Sequence, residues 1–228
     1  MTDRPGGGDS RRGGFLGFVA HEVRNPLSTA LWSAELLSRM PAGERSGARG
    51  DRLASMCLRS IARVRQLVED HFLCERLDAG GIPLRPEDVP LREVIDAVLS
   101  READRGPVTV SVPEGMTVRG DRALVERVVD ALVAVASSEK AAVHVEARPA
   151  SGGTVALSIS GQVPPADALD DPTKGSPSDP RGRALALPLA RRIAAALGGA
   201  LAASEAGYVL SLPGVEGYIA RPKPVAHP

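Results

Sequence analysis

The chain has 228 residues, 43% of them hydrophobic and 25% charged, with basic and acidic side chains in balance at 28 each. Zero net charge and only 3% aromatic residues exclude the broad basic field and the stacking platforms of a nucleic-acid binder, and the length allows one large domain or two small ones with a real core. No apolar run approaches the ~18–20 residues that span a bilayer, and the opening MTDRPGGGDSRRGG has no apolar stretch behind its basic residues, so it reads as a flexible tail over 1–14 rather than a signal peptide.

The expected location is therefore cytoplasmic, away from membranes. From Phe15 to Met40 the apolar positions Phe15, Val19, Val23, Leu27, Leu31 (or Ala30), Ala34 and Leu37 recur at spacings of three and four, the stripe of one helix. Residues 41–50, PAGERSGARG, read as a turn. From Asp51 to about Asp78 a second stripe follows: Leu53, Cys57, Ile61 (or Ser60), Val64, Leu67, Val68 and Phe72. Asp51 is a candidate N-cap and Gly80-Gly81 a candidate stop. Residues 15–81 are thus expected to form a helical hairpin. Two helices cannot bury both stripes against each other, so a homodimer forming a four-helix bundle is expected. The cysteines, Cys57 and Cys74, lack partner ligands and read as packed thiols.

The pattern changes after the double glycine. A Pro-rich extended stretch leads into a helix from about Pro90 to Ala103. "VTVSVPEG" alternates as a strand, "GDRALVERVVDALVAVASSE" reads as a helix, and "AAVHVEARP" with "GGTVALSISG" as paired strands. Residues 164–183 are loop-like. "ALALPLARRIAAALGG" is a helix stopped by Gly198-Gly199, and "ALAASEAGYVLSLPG" two short strands. Residues 82–220 are expected to be an α+β sandwich with helices on one face of a mixed sheet. The Pro-rich end, 221–228, reads as a tail.

His21 stands two residues from both Val19 and Val23 of the first stripe, so at about 100° per residue it points away from the core. Asn25 and Ser28 share its face, and Glu22 adjoins it. Pro26 has no N–H for the Glu22 carbonyl and is expected to bend or loosen the turn after His21. An exposed imidazole with a carboxylate beside it suits phosphoryl transfer. One ring nitrogen attacks, while Glu22 bonds the other or takes its proton. Asn25 can bond a phosphoryl oxygen or orient a water.

His-Glu-x-x-Asn-Pro-Leu, with its apolar helix, turn and second long helix through "RVRQLVEDHFLCERLDAGGIPLRPEDVPL", resembles the phosphoacceptor and dimerisation domain of sensor histidine kinases. The resemblance implies that His21 is the phosphorylated residue, Glu22 its acid/base neighbour and Asn25 the residue that positions water for dephosphorylating a partner. The element order of the second half is similar to the Bergerat-type ATP-binding domain of the same family, but its nucleotide residues are missing. Val135 and Ala131 stand where that family has asparagines. "SISGQVPPADAL", with Ser160 and Gly161, replaces the adenine-reading Asp-x-Gly-x-Gly turn. "RALAL" places Ala184 and Ala186 at the glycines of the phosphate-cradling segment. Valine cannot hold a metal, and alanine obstructs the close backbone approach that glycine permits. "DPTKGSPSDP" occupies the place of the ATP lid. His71, His144, His227 and the "ARR" at 190–192 are assigned no site role.

An intact hairpin joined to a degenerate nucleotide domain resembles the dimeric histidine phosphotransferases of phosphorelays. The resemblance implies carriage of a phosphoryl group on His21 between aspartates of receiver domains, of response regulators or of a hybrid histidine kinase. No cofactor is expected, since the receiver supplies Mg²⁺ and the acyl phosphate supplies the energy. Leu16, Leu27 and Leu31, where not buried, would form the docking face around His21. The alternatives are an autokinase with a divergent ATP pocket and a non-catalytic pseudokinase adaptor.

Overall fold

The computed structural model describes residues 7–101, 106–137, 142–162, 165–174 and 184–215. The chain divides into two compact units, one running to Phe72 and also taking in Ala184, the other made of the remaining described residues from Leu73 on.

The first unit is built from α1 (Gly7–Arg39), a helical turn α2 (Ala42–Arg45), and most of α3 (Ala48–Asp78). Helix α1 already runs at Gly7, within the stretch expected to be a tail, and continues unbroken through Pro26. The expected plain turn over 41–50 holds α2 and the start of α3 instead. Asp51 lies in the first turn of α3 rather than capping it. Two contacts make that tight connection. Arg45 Nη2 donates to the Met40 carbonyl at 2.9 Å, satisfying a carbonyl beyond the end of α1. Gly50 is packed so closely that a Cβ there would stand 2.0 Å from the Arg45 carbonyl oxygen.

The inward line of α1 is Val19, Glu22 and Val23, Pro26, Ala30, Ser33, Leu37 and Met40; that of α3 is Leu53, Cys57, Ser60, Arg63 and Val64, Leu67, Asp70 and Cys74. Ala30 and Ser60, not Leu31 and Ile61, hold the inward positions. Leu27, Leu31, Ala34, Ile61, Val68 and Phe72 are exposed, a correction to both expected stripes. Each helix carries more apolar surface than one face can bury. Cys57 is half-buried and Cys74 buried, and neither is in a disulfide.

Helix α3 ends as expected. Gly80, at φ +65°, donates to the Leu77 carbonyl, and Gly81 donates to that of Arg76 at 3.0 Å. This pairing satisfies the last carbonyls and uses the left-handed conformation that glycine adopts without strain.

The second unit contains β1 (Glu87–Pro90), α4 (Leu91–Ser100), β2 (Val108–Ser111), β3 (Thr117–Gly120), α5 (Arg122–Ala136), β4 (Val143–Ala150), β5 (Thr154–Ser160), α6 (Ala186–Ala196), β6 (Ala200–Ser204) and β7 (Gly207–Pro213). Five strands form one mixed sheet in the order β2-β4-β5-β7-β6, with β2 parallel to β4 and the other pairs antiparallel. A separate ribbon pairs β1 with β3, matching Val89 to Val118. That ribbon was not expected.

Along β4, Val143, Val145 and Ala147 are buried while His144, Glu146 and Arg148 are exposed. This alternation marks a sheet covered on one face. Val94, Ile95 and Val98 of α4, Val125, Val128, Val129, Leu132 and Val133 of α5, and Leu189, Ile193 and Ala194 of α6 complete the core with Leu157, Ile159, Leu210 and Leu212 of the sheet. An α+β domain with helices against one sheet face follows the helical hairpin. Helix α5 is capped by Asp121, whose side chain accepts from Leu124 N–H. Helix α6 ends at Gly198-Gly199, with Gly198 at φ +80° and Gly199 N–H donating to Ala194 at 2.8 Å.

Candidate functional site

His21 is on α1 with its side chain 65% exposed, off the inward line as its spacing predicts. Its Nδ1 stands 3.6 Å from Glu22 Oε1, and the Glu22 side chain is only 13% exposed. Glu22 thus lies between the exposed ring and the hairpin interior. Its second oxygen, Oε2, accepts from Arg63 Nη2 of α3 at 3.4 Å. The antiparallel register of the two helices makes this possible. Glu22 faces Arg63, and one end further along Phe15 faces His71 with ring centroids 5.7 Å apart. Sequence reasoning missed Arg63. The signal available was its place on the inward line between Ser60 and Leu67, where a charge needs a partner.

Asn25 is exposed one turn beyond His21. Pro26 turns its ring inward and is buried. With no N–H it cannot donate to the Glu22 carbonyl. In the following turn the Thr29 hydroxyl donates to the Asn25 carbonyl at 3.2 Å, and Ser33 Oγ donates to the Thr29 carbonyl at 2.8 Å. The free side chains of His21 and Asn25 therefore rise from a backbone held on both sides of the proline. Leu16, Leu27 and Leu31 of the same helix are exposed apolar side chains.

This arrangement has the elements of a phosphoacceptor. The Nε2 side of His21 is open to an incoming phosphorus, Nδ1 faces a carboxylate, and an amide is one turn away. The remaining histidines build no second site. His71 packs against the Phe15 and Phe72 rings, His144 lies on the exposed face of β4, and His227 is outside the described residues. Among the described residues no group of three or more His, Cys, Asp or Glu could hold a metal.

The positions that the resemblance aligns with a nucleotide site lie on α5, after β5 and at the start of α6. Ala131 and Val135 are half-buried in the last turns of α5. Ser160 ends β5, where its Oγ donates to the His144 carbonyl at 3.4 Å. The loop that follows is tied to α5, since Gln162 N–H donates to the Ala136 carbonyl at 2.9 Å. A Cβ on Gly161 would stand 2.6 Å from that same carbonyl oxygen. Ala184 precedes α6, and Leu185, Ala186 and Leu187 at its start are buried. Mg²⁺ and a triphosphate need oxygen ligands and open N–H groups. These positions offer an isopropyl group, methyl groups and a helix start enclosed by leucines, so the residues present do not fit that cofactor. Of the expected lid, only Asp171–Lys174 falls within the described residues, in a short 3₁₀ turn at Pro172–Lys174. There Asp171 accepts from the Thr173 backbone and hydroxyl, which holds its carboxyl below the usual range.

Glu126 and Tyr208, both distant in sequence from His21, also have shifted titration. Glu126 of α5 is held below the usual glutamate range by Arg101 and then by Arg122. Tyr208 of β7 is buried with no partner for its hydroxyl, and burial pushes the phenol up. Arg191 and Arg192 of α6 are engaged with Asp170 and Asp78, consistent with a structural rather than a phosphate-binding use.

The His Kinase A (phospho-acceptor) domain family matches residues 11–80. Sensor protein KdpD of Escherichia coli (strain K12) is 30% identical over 120 residues, which are 51% of this chain and 13% of KdpD, so the chain spans only a small part of that relative. Among solved structures, the Acinetobacter baumannii histidine kinase AdeS superposes with a TM-score of 0.67 at 20% identity, covering 85% of this chain and 97% of that one. Full-length ShkA, solved in complex with AMPPNP, gives 0.59 at 21% identity over 87% of this chain and 45% of that one. At these identities the two structures support the fold. No helix among the described residues is long and apolar enough to cross a membrane.

Proposed function

We propose that this chain is a histidine phosphotransferase of a two-component phosphorelay, a member of the sensor histidine kinase family whose phospho-acceptor hairpin is followed by an ATPase-like sheet domain. It takes a phosphoryl group from an aspartate of one receiver domain onto His21 and passes it to another, without ATP. The observation that carries this reading is the contrast between the two units. His21, Glu22 and Asn25 keep a usable geometry, while valine and alanine at 135, 184 and 186 stand where the resemblance implies a metal ligand and a phosphate cradle.

In the forward step Nε2 of the neutral ring attacks phosphorus with its lone pair. The P–O bond to the receiver aspartate breaks, and its electron pair leaves with the aspartate carboxylate. The ring becomes a phospho-imidazolium that retains its proton on Nδ1, and the Glu22 carboxylate beside it offsets that charge. Reversal toward a second aspartate regenerates neutral His21. The receiver supplies Mg²⁺. Asn25 is one turn away and would bond a phosphoryl oxygen or the water of a hydrolytic side reaction.

The protein is proposed to act as a homodimer, its hairpins paired in a four-helix bundle. Leu27, Leu31, Leu58 and Ile61 remain exposed in the single chain, and contiguous apolar surface of this kind marks an interface.

The retained kinase-like fold favours a second reading, a divergent autokinase labelling His21 from ATP. Calorimetric titration with ATP and Mg²⁺ separates the two. Phosphotransfer predicts no saturable heat together with label passing from a phosphorylated receiver to His21. Saturable binding and ATP-dependent label on His21 would establish the autokinase. A protein that takes label from neither source would be an adaptor.

A further inference from the structure

Arg63 of the second helix reaches the reacting face through Glu22. One Glu22 oxygen faces His21 Nδ1 at 3.6 Å, and the other accepts from Arg63 Nη2 at 3.4 Å. The Glu22 side chain is 13% exposed and that of Arg63 25%. Arg63 Nε is buried and makes no hydrogen bond, so Glu22 is the contact that orients this guanidinium across the hairpin. Glu22 has several rotatable bonds and, left alone, would turn both oxygens to water. Anchored by Arg63, it keeps Oε1 beside the ring.

We propose that Arg63 is a positioning residue for phosphoryl transfer: by holding Glu22 against Nδ1 it selects the His21 tautomer that carries its proton on Nδ1 and leaves the Nε2 lone pair free to attack. The role rests on the reading of His21 as phosphoacceptor. A carboxylate accepts but does not donate, so it stabilises the tautomer with N–H on the side it faces. The exposed nitrogen is then the nucleophile. The principle is the one by which an outer partner fixes the tautomer of a ligating histidine. It also explains why a charged side chain occupies the inward line of α3, where an apolar residue would pack without needing a partner.

The test is the tautomer of His21 in full-length protein labelled with ¹⁵N-histidine, read from long-range ¹H–¹⁵N spectra above the pH at which imidazole is protonated. His21→Gln assigns the signal among the four histidines. Wild type is expected to show Nδ1–H as the dominant form. Arg63→Ala is expected to lose that preference and to slow transfer from a phosphorylated receiver on the order of tenfold, the low end for loss of an orienting partner. Arg63→Lys is expected to restore part of both. If Arg63→Ala does not fold, Arg63→Met keeps the aliphatic stem and must show the same shift. An unchanged tautomer in a folded Arg63 variant, or a wild type without the Nδ1–H preference, would overturn the proposal. The spectrum needs no phosphodonor, so its outcome is independent of whether receivers or ATP supply the phosphoryl group.

Discussion

Pro26 is buried in the hairpin while its neighbour Leu27 is 54% exposed. The two residues mark where the apolar surface of α1 parts into an inward line and an outward one. Leu31 continues the outward line at 61% exposure, and the adjoining Trp32 is 55% exposed. Trp32 is the only tryptophan of the chain, so its emission reports whether that line is covered. The homodimer predicts sedimentation at twice the chain mass at micromolar concentration, with Trp32 emission moving to longer wavelength on dilution. Leu31→Glu should weaken association by a few kcal/mol, as burial of a charge in place of leucine implies. A monomer whose emission does not change with concentration would remove the bundle.

His21 is exposed and its ring supports no core contact. His21→Ala should therefore leave stability within ~0.5 kcal/mol of wild type while abolishing all label. Leu132→Ala gives the opposite result. Leu132 is fully buried in α5, and its truncation should cost about 2–5 kcal/mol. Urea denaturation followed by circular dichroism measures both.

Gly207 begins β7 opposite Ser160. A Cβ there would stand 2.0 Å from the Ile159 carbonyl oxygen and 2.7 Å from the Ser160 Cα. Both obstacles are backbone in the neighbouring strand, so the sheet must part to admit a methyl group. Gly207→Ala should be among the severe substitutions, destabilising by more than ~3 kcal/mol with loss of the sheet domain's cooperative transition. A soluble variant of wild-type melting temperature would contradict the packing.

The sequence made the ends of the elements more legible than their faces. Gly80-Gly81 and Gly198-Gly199 act where they stand, because a cap is a local hydrogen-bonding problem. Asp51 failed for an equally local reason: α3 already begins at Ala48, with Gly50 packed onto Arg45. The stripes were harder. Leucines at 27 and 31 fit a helical period as well as Pro26 and Ala30 do, and periodicity cannot say which of two apolar faces meets the partner helix. The β1–β3 ribbon pairs Val89 with Val118 across a helix and a strand, a non-local match hidden in a Pro-rich stretch. The site was legible to the extent that it is contiguous. His21, Glu22 and Asn25 lie on one turn, whereas Arg63 joins them only through the antiparallel register of the hairpin.

Glu126 supplies a pH test within the sheet domain. Its folded-state titration is depressed by Arg101 and Arg122, so the folded form binds this proton less readily than the unfolded chain does. The associated stability is present above the ordinary glutamate value of about 4.3 and is lost as pH falls through the lower folded value. Stability measured by urea midpoint should decline across that acidic range, and Arg101→Gln should flatten the decline without altering the midpoint's response near neutral pH. An identical acid response in the variant would show that the contact does not contribute in solution.

The source of the phosphoryl group on His21 separates phosphotransfer from autophosphorylation. Full-length protein is incubated in parallel with γ-³²P-ATP and Mg²⁺, and with a ³²P-phosphorylated receiver domain freed of nucleotide, with His21→Gln as the control in each. Acid-labile, base-stable label on the wild type from the receiver, none from ATP and none on His21→Gln is the predicted result. Label on His21 from ATP would contradict it.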